Sequence, residues 1–344
     1  MIRFNSDYTE GAHPRILDAL ARTNFEQTNG YGDDGHCRRA AELIRRECAA
    51  PDAQVHFLVG GTQTNLTVIS SVLRPYQGVL CAAGGHIACH ETGAVEAVGH
   101  KILPLPDMEG KISAGQVREA VKLHMSDENR EHTVQPGMVY ISQSSECGTV
   151  YSKRELEEMR EACRELALPL FIDGARLGYA LAGSGGELTL RDIAESCDVF
   201  YIGGTKVGLL FGEAVVITNP ALARDFRYMM KQRGAMLAKG RLLGVQFEEA
   251  FSDGLYYEMS AHAVNEAARI KQALTRRGIP LLFASPTNQL FPILTHAQQE
   301  ALSGKYAFSY WQRVDGNRDA VRICTSWATR SEAVDGLIAD ISKL

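Results

Sequence analysis

The sequence predicts an α/β protein with a mostly parallel, doubly wound sheet and a smaller C-terminal α+β domain. Short apolar runs bounded by glycine and turn residues alternate with stretches of helical periodicity, which is typical of repeated βαβ units. The apolar runs lack polar alternation, as expected of strands that are covered by helices on both faces. The length of 344 residues exceeds what one hydrophobic core usually fills, so two domains are expected.

The predicted elements fall into three segments. Residues 1–22 are an N-terminal arm that contains the helix-like stretch HPRILDALART. Residues 23–245 are the large domain, with the amphipathic helix RRAAELIRREC and the strands QVHFLVGG, GVLCAAGG, GMVYISQ, LPLFIDG, DVFYIGG and EAVVIT. Residues 246–344 are the small domain, where a long helix leads to the weaker strands QLFPILT, YAFSYWQ and AVRICTSW and to a final helix, SEAVDGLIADISKL. In open α/β sheets ligands bind outside the carboxyl ends of the strands, so polar residues that follow these strands are the candidates for a site.

The composition excludes several classes of partner. The formal net charge is −5 and no Lys/Arg block is present, which gives no electrostatic support for binding nucleic acid or an anionic membrane. The N-terminus, MIRFNSDYTE, has no apolar stretch of signal-peptide length, and no run anywhere is long enough to span a bilayer. The eight cysteines include no C-x-x-C pair and are typical of reduced thiols. The sequence therefore predicts a cytoplasmic protein that acts on a small molecule.

Two charged residues stand where buried strands should end. Asp173 follows the strand in FIDGAR, and Lys206 follows the strand in YIGGTK. Their spacing suits a strand–helix–strand crossover, which would bring both to one edge of the sheet. A buried lysine can remain a neutral amine that forms a Schiff base, and a nearby carboxylate can hold the protonated pyridine nitrogen of pyridoxal phosphate. The alternative is a structural ion pair at the strand ends.

The segment VGGTQTNL predicts an anion site. An apolar strand breaks at two glycines and continues as a helical pattern, and such a junction directs backbone N–H groups and the helix dipole at an anion. The hydroxyls of Thr62 and Thr64 are further possible donors, and Thr205 beside Lys206 is a second candidate phosphate donor. The motif is neither Walker A nor G-x-G-x-x-G, so no nucleotide is indicated, and a plain βα turn has the same pattern.

A histidine follows a third glycine-rich strand end, in GGHIACHETGA. His86 there is able to stack its imidazole on an aromatic ring, or it only packs at the start of a helix. A metal site that uses His86, His90 and Glu91 is a further alternative. The order H-x-x-x-H-E matches no usual zinc-protease arrangement, in which the Glu lies between the histidines, so no metal is predicted.

Two arginines are candidates for a bidentate grip on a substrate carboxylate. Arg176 lies three residues beyond Asp173 at the end of a strand, which favours a place in the site. Arg322 lies at the end of the strand DAVRICTSW and has no comparable local support. A solvated surface position is the alternative for each.

The motifs YGDD, GTQTNL, HIACHETGA, IDGAR and TK, in this order, resemble the low-specificity L-threonine aldolases. These enzymes belong to the β-eliminating-lyase group of the fold type I, PLP-transferase-like pyridoxal phosphate enzymes. The resemblance implies a Schiff base at Lys206, Asp173 on the pyridine nitrogen and His86 stacked on the cofactor ring. It also implies homodimers or homotetramers with sites at the subunit interface. The remaining contacts that it implies are Gly61, Thr62, Gln63, Thr205 and Arg176 for the cofactor, and Ser6, Tyr31, Arg176 and Arg322 for the substrate.

Two segments depart from the better-known members of this group. SSECGTV places Glu146 where many members carry a histidine near the substrate hydroxyl, and the lysine segment reads GGTKVGLLFGEA. Glu146 is therefore the candidate base for the β-hydroxyl proton, with His90 next, unless it only caps the turn before Gly148.

The expected activity is the pyridoxal-phosphate-dependent cleavage of β-hydroxy-α-amino acids, of the L-threonine or L-allo-threonine type, to glycine and an aldehyde. The alternatives are β-elimination or transamination on the same scaffold. A metal-dependent hydrolase using His86, His90 and Glu91, or an inactive family member that serves in binding or assembly, would belong to a different class.

Overall fold

Thirteen β-strands and fifteen α-helices form the computed structural model, which describes all 344 residues. The strands are β1 (Ile2–Arg3), β2 (Gln54–Leu58), β3 (Gln77–Ala82), β4 (Lys101–Leu105), β5 (Gln135–Ser142), β6 (Leu170–Asp173), β7 (Val199–Gly203), β8 (Glu213–Ile217), β9 (Gln289–Leu290), β10 (Ile293–Thr295), β11 (Tyr306–Ala307), β12 (Ser309–Arg313) and β13 (Arg318–Cys324). The helices are α1 (Pro14–Arg22), α2 (Gly35–Glu47), α3 (Gly61–Val72), α4 (His86–Cys89), α5 (Ala94–Ala97), α6 (Ala114–Ser126), α7 (Lys153–Glu165), α8 (Leu177–Gly183), α9 (Leu190–Ser196), α10 (Pro220–Ala223), α11 (Phe226–Gln232), α12 (Arg241–Ser252), α13 (Leu255–Arg276), α14 (His296–Ser303) and α15 (Ser331–Ile341). None of the helices combines the length and apolar character that a membrane crossing requires.

The central sheet has seven strands in the order β2-β8-β7-β6-β5-β3-β4. β8 runs antiparallel to both of its neighbours, β2 and β7, and the other neighbouring pairs are parallel. The prediction of a mostly parallel, doubly wound α/β sheet is therefore confirmed. Because the parallel strands run in one direction, their carboxyl ends lie at a single edge of the sheet.

Side chains of the central strands alternate between two hydrophobic cores. Leu170 and Ile172 enter the larger core, which also receives residues of α2, α7 and α12. Phe171, between them, enters a second core with residues of α3 and α11 on the opposite face. The period of two along a strand explains this division, and burial on both faces explains why the strand sequence shows no polar alternation.

The edge strand β4 was missed in the sequence. Its residues, KILPL, include Pro104, and a proline within a short apolar run argues against a central strand. β4 lies at the edge of the sheet and pairs only with β3. A proline is tolerated there because no strand on the other side needs its backbone N–H.

The small domain surrounds an antiparallel sheet of β10, β13 and β12, with β9 also paired to β13. The first residues of the N-terminal arm pack with this unit, because β1 pairs with β11 and Phe4 is buried in the same hydrophobic core. The later part of the arm packs with the large domain, because Ile16 of α1 is buried in the large core. The predicted boundary at residue 245 falls inside α12, whose apolar residues pack in the large core. The change from one core to the other occurs along α13, where Val264 contributes to the large core and Ala267 to the small one.

Candidate active site

A cleft of about 600 Å³ opens at the carboxyl edge of the central sheet. Large-domain residues His86, Glu146 and Lys206 line one side of it. The small domain contributes Trp311 and Arg322 to the opposite side. Side chains from distant parts of the chain therefore meet at the edge where the sequence predicted a site.

Asp173, the last residue of β6, is buried and accepts four hydrogen bonds. Its Oδ1 accepts from the Tyr201 hydroxyl at 2.5 Å and from the Ala175 N–H at 2.9 Å. Its Oδ2 accepts from the Tyr140 hydroxyl at 2.5 Å and from Asn65 Nδ2 at 3.0 Å. Lys206 is not among these partners, so the alternative of a direct Asp173–Lys206 ion pair does not hold.

His86 begins α4 and is joined to Asp173 through two other buried side chains. Its Nδ1 lies 2.8 Å from Glu91 Oε1, and Asn65 Nδ2 donates both to that oxygen at 2.7 Å and to Asp173 Oδ2 at 3.0 Å. Burial alone would lower the pKa of His86, but the Glu91 hydrogen bond and the Asp173 charge raise it overall. Burial likewise opposes ionisation of Asp173, yet the His86 charge and the hydrogen bonds lower the pKa of Asp173.

This arrangement gives the histidine a defined orientation. Because Glu91 engages Nδ1, the ring has its other nitrogen and its exposed surface available to the cleft; 31% of the side chain is exposed. Glu91 thereby serves His86 as a hydrogen-bond partner. No group of three His, Cys, Asp or Glu side chains in the chain is placed to hold a metal ion.

Lys206 lies in the loop between β7 and β8. The Tyr179 hydroxyl donates to its backbone carbonyl at 2.5 Å, which fixes the position of the residue. Burial, and after it the charge of Arg176, lowers the pKa of the Lys206 amine below its ordinary value. The amine therefore reaches its neutral, nucleophilic form at a lower pH than an exposed lysine.

Arg176 is held in a buried ion pair with Asp7 of the N-terminal arm. Its Nε and Nη2 donate to the two Asp7 carboxylate oxygens at 2.7 and 3.0 Å, and Asn288 Nδ2 donates to Asp7 at 2.9 Å. Burial opposes ionisation, but Arg176 lowers the pKa of Asp7 to about 2. The Nε/Nη2 edge of the guanidinium thus binds Asp7, and the N–H groups that remain for a ligand are two on Nη1 and one on Nη2. Arg176 lines the cleft, so its bidentate grip on a substrate stays a prediction.

Arg322 and Ser6 carry buried polar atoms that lack partners. Arg322 Nη2 donates to the Asn5 carbonyl at 3.3 Å, while its Nε is buried without a hydrogen-bond acceptor. The Ser6 hydroxyl is also buried without a partner. Ser6 lies between Asn5, which contacts Arg322, and Asp7, which contacts Arg176. Because a buried donor without an acceptor is costly, these two groups indicate a place for a ligand acceptor.

The predicted anion site lies where β2 leads into α3. The helix begins at Gly61, and its N-cap residue, Gly60, provides no side-chain hydrogen bond to the first turn. Thr62 in that turn is exposed. The backbone N–H groups at this helix start therefore have no side-chain cap of their own, as an anion site requires.

Gln63 and Thr205 use their side chains differently from the prediction. Gln63 Oε1 accepts from the Val59 N–H at 3.3 Å, and Nε2 donates to the Arg233 carbonyl at 3.1 Å. The side-chain amide is thus held by backbone groups, and the donors left for an anion are the second hydrogen of Nε2 and the backbone N–H of Gln63. The Thr205 hydroxyl donates to Glu213 Oε1 at 2.9 Å. Its proton is therefore directed at a carboxylate in this arrangement.

Glu146 lies in the cleft and touches the start of α4. Its Oε1 accepts from the His86 N–H at 3.0 Å and from the Ser142 hydroxyl at 2.8 Å, whereas Oε2 is buried without a partner. Burial, and after it the Asp173 charge, raises the pKa of Glu146. The N–H of Gly148 donates to the Ser145 carbonyl, and the Glu146 carboxylate is directed at the start of α4, which favours a place in the site over a cap of that turn.

Tyr31 does not line the cleft of its own chain; it lines a separate pocket with Arg227 and Met236. It has a left-handed backbone with φ 60° and a 46% exposed side chain. Its N–H donates to the Ala238 carbonyl at 3.3 Å, and its ring lies 4.4 Å from the Lys231 ammonium. The loop thus packs against Ala238 and Lys231, and the substrate contact of Tyr31 stays a prediction.

Five residues of the site region were not predicted from the sequence: Asp7, Asn65, Tyr140, Tyr201 and Glu213. Some carry a local signal. Tyr140 and Tyr201 are tyrosines inside apolar strands, where a buried hydroxyl needs a partner, and Asn65 is a polar residue on the buried face of α3. Asp7 has no such signal, because its partner lies far along the chain.

Comparisons with known proteins agree with the geometry. The family model described as beta-eliminating lyase matches residues 3–297. The chain is 33% identical to a low specificity L-threonine aldolase of Pseudomonas sp., covering 98% of this chain and 96% of the relative. A solved structure of Leishmania major threonine aldolase is 44% identical, with a TM-score of 0.96 over 100% of this chain and 99% of the other. An aspartate aminotransferase of Thermus thermophilus shares the fold alone, with 15% identity, a TM-score of 0.72 and coverage of 100% and 91%.

Proposed function

The chain belongs to the beta-eliminating lyase family, and from this premise we propose that it is a pyridoxal-phosphate-dependent aldolase. In this proposal it cleaves β-hydroxy-α-amino acids of the L-threonine or L-allo-threonine type to glycine and an aldehyde. In support, its Pseudomonas relative is named a low specificity L-threonine aldolase and its Leishmania relative a threonine aldolase. The observation that carries the proposal is the buried Lys206 amine at the cleft, close enough to the buried, ionised Asp173 to be influenced by its charge.

The residues of the cleft fit pyridoxal phosphate. The amine of Lys206 would hold the aldehyde carbon, the Asp173 carboxylate would face the ring nitrogen, and His86 would cover one face of the ring. The start of α3, which no side chain caps, would receive the phosphate. When bound, the cofactor supplies a place for the electron pair that is released when the Cα–Cβ bond of the substrate breaks.

The chain orients the substrate through its carboxylate. The unpartnered donors Arg322 Nε and Ser6 Oγ–H would bind the carboxylate oxygens, and Nη1 of Arg176 is a further donor. Asp7 keeps Arg176 in one position, so this donor is preorganised. Fixing the carboxylate decides which bond at Cα stands perpendicular to the cofactor ring, and this separates aldol cleavage from elimination or transamination.

Arg322→Ala is expected to weaken glycine binding by roughly 10- to 100-fold, the range for losing a hydrogen bond between charged groups. Cofactor affinity should stay unchanged, because Arg322 contacts the substrate alone in this arrangement. Titration of the cofactor-loaded protein with glycine, followed by visible absorption, measures the effect. Arg313→Ala, an exposed arginine on the same small sheet, is the matched control. Unchanged glycine affinity in Arg322→Ala would place this residue outside the site.

Glu146 is the residue that we propose as base for the β-hydroxyl proton. Its Oε2 is buried in the region of the cleft and has no partner, so it is able to accept a proton directly or through water. His90 is the alternative; its side chain is largely exposed, and the partial desolvation of its ring, followed by the His86 charge, lowers its pKa. The raised pKa of Glu146 would bring its titration closer to neutral pH than that of an ordinary glutamate.

Glu146→Gln is expected to lower kcat for β-hydroxy substrates by roughly 10²- to 10⁴-fold, the contribution of a general base. A base acts when deprotonated, so wild-type activity should fall as pH decreases through the raised pKa of Glu146, and this acidic limb should disappear in the variant. Cofactor absorption and glycine binding should persist, because Gln retains an acceptor for the His86 N–H. His90→Gln is the control. Wild-type rates in Glu146→Gln across pH would assign the base elsewhere.

Aldehyde release from L-threonine, L-allo-threonine and other β-hydroxy amino acids tests the proposed activity. Keto-acid or ammonia formation instead of aldehyde would identify transamination or elimination. A purified protein that is colourless and whose hydrolytic activity responds to chelator would favour the metal alternative. A colourless protein with no such activity would indicate a binding or assembly role.

We propose further that the chain is a homodimer or homotetramer whose sites lie at the subunit interface. Support comes from large apolar side chains left exposed in one chain, Phe25 at 94% and Tyr228 at 79%, and from Tyr31 lying outside the cleft of its own chain. Sedimentation of the purified protein determines the number of subunits.

A further inference from the structure

Glu213 occupies a central place between the two segments that would hold the cofactor. As the first residue of β8 it pairs with Leu58, the last residue of β2, and with Gly203, the last residue of β7. The first of these strands leads to the start of α3, and the second leads to the loop that carries Lys206. An anion at the start of α3 therefore lies next to the Glu213 segment.

The carboxylate of Glu213, which is 3% exposed, is tied to the Lys206 loop by hydrogen bonds. Its Oε2 accepts from the Gly204 N–H at 3.2 Å and its Oε1 from the Thr205 hydroxyl at 2.9 Å. The Thr205 oxygen in turn accepts from the Gly212 N–H at 3.0 Å. Because the Thr205 hydroxyl donates its hydrogen to Glu213, only a lone pair of its oxygen remains free. An unprotonated phosphate oxygen has no hydrogen to donate to that lone pair, so Thr205 forms no hydrogen bond with it in this arrangement.

The charged and titratable groups around Glu213 come from four elements. Lys206 on the adjoining loop and Asp173 on β6 act on it through their charges, and Tyr201 on β7 and Tyr256 on α13 lie close enough to feel its charge. Burial is the largest influence and raises the pKa of Glu213 to about 8. The Glu213 carboxyl therefore takes up a proton near neutral pH.

We propose that Glu213 is a positioning residue for the cofactor phosphate and that it acts through Thr205. In the phosphate-bound form Glu213 carries a proton and donates it to Thr205 Oγ1, and the Thr205 hydroxyl turns its own proton to a phosphate oxygen. Gly212 N–H continues to donate to Thr205 Oγ1, and Gly204 N–H to the other carboxyl oxygen. Every donor then has an acceptor, and the only change in composition is one proton taken from water.

This inference rests on the proposed function, because it requires phosphate at the start of α3. The direction in which phosphate affinity changes with pH follows from the linkage of binding to protonation. The protonated carboxyl is the binding form, so phosphate affinity should be full below the pKa of Glu213 and should fall as pH rises through it. For a group with pKa about 8, the expected loss is roughly tenfold between about pH 7 and about pH 9.

The test uses calorimetric titration of the full-length protein, freed of cofactor, with pyridoxine 5′-phosphate. This probe has no aldehyde and forms no bond to Lys206, so covalent attachment does not contribute to the pH dependence. Pyridoxine without phosphate is the control for the ring. Titrations in two buffers of different ionisation enthalpy give the number of protons taken up directly in the wild-type protein.

Glu213→Gln is the informative variant, since its amide donates to Thr205 and accepts from the Gly204 N–H, as a protonated carboxyl does. We expect it to bind the probe as tightly as the wild type at about pH 7 and to lose the roughly tenfold decline toward about pH 9. Thr205→Val should weaken the probe by roughly tenfold at about pH 7, should show no further decline toward about pH 9 because Glu213 acts through this hydroxyl, and should leave pyridoxine binding unchanged.

Two results would overturn the inference while leaving the proposed function intact: the same pH decline in Glu213→Gln as in the wild type, or unchanged probe affinity in Thr205→Val at about pH 7. Absence of extra proton uptake in the wild type at the higher pH would overturn it without any variant. A wild-type protein that does not bind the probe at either pH would overturn the inference and the cofactor assignment together.

Discussion

Replacing Lys206 by alanine is expected to abolish the visible absorption of the bound cofactor and to reduce turnover by roughly 10³-fold or more, as removal of a covalent nucleophile does. The fold should remain, because the backbone contact from the Tyr179 hydroxyl to the residue 206 carbonyl does not involve the lysine side chain. The substitution also removes a buried amine whose charged form burial disfavours, so thermal stability should not fall for electrostatic reasons.

Absorption spectra before and after borohydride treatment, together with thermal unfolding, measure these effects. Lys122→Ala, an exposed lysine on α6, is the matched control and should retain colour and activity. If Lys206→Ala kept the wild-type spectrum and its bleaching by borohydride, the covalent role of Lys206 would be refuted.

Asp173→Asn is expected to reduce turnover by roughly 10²- to 10³-fold, the usual effect of losing one preorganised electrostatic group. An uncharged amide stabilises a protonated ring nitrogen less well than a carboxylate. The structure adds a second effect. Donors approach both carboxylate oxygens, Tyr201 and Ala175 on one and Tyr140 and Asn65 on the other. An amide nitrogen in either position meets donors instead of an acceptor, which should lower the free energy of unfolding by about 1–3 kcal/mol.

The two effects separate when kcat and the free energy of unfolding are measured in the same variant. Tyr140→Phe is the control, because it removes one donor to Asp173 but keeps the charge, and it should lose much less turnover. A near-normal kcat in Asp173→Asn would remove Asp173 from the electrostatic role, whatever its effect on stability.

The carboxyl ends of the strands were predictable because their signal is local. A charged residue at the end of a fully apolar run is rare, and the rule for parallel strands brings Asp173 and Lys206 to one edge without knowledge of the rest of the chain. The contacts of Arg176 were not predictable, since Asp7 is 169 positions away and no pattern joins them. The direction of the Thr205 hydroxyl was equally hidden, because it depends on the antiparallel pairing that brings Glu213 beside it.

The N-terminal arm has a consequence for motion. Its Phe4 is buried in the core of the small domain, while Asp7, three residues later, is paired with Arg176 of the large domain. A small domain that swung away from the sheet would have to pull Asp7 off a buried guanidinium, and separating such a pair costs about 3–5 kcal/mol. We therefore expect a widely opened conformer to be rare at equilibrium and large hinge closure to contribute little to the rate of turnover.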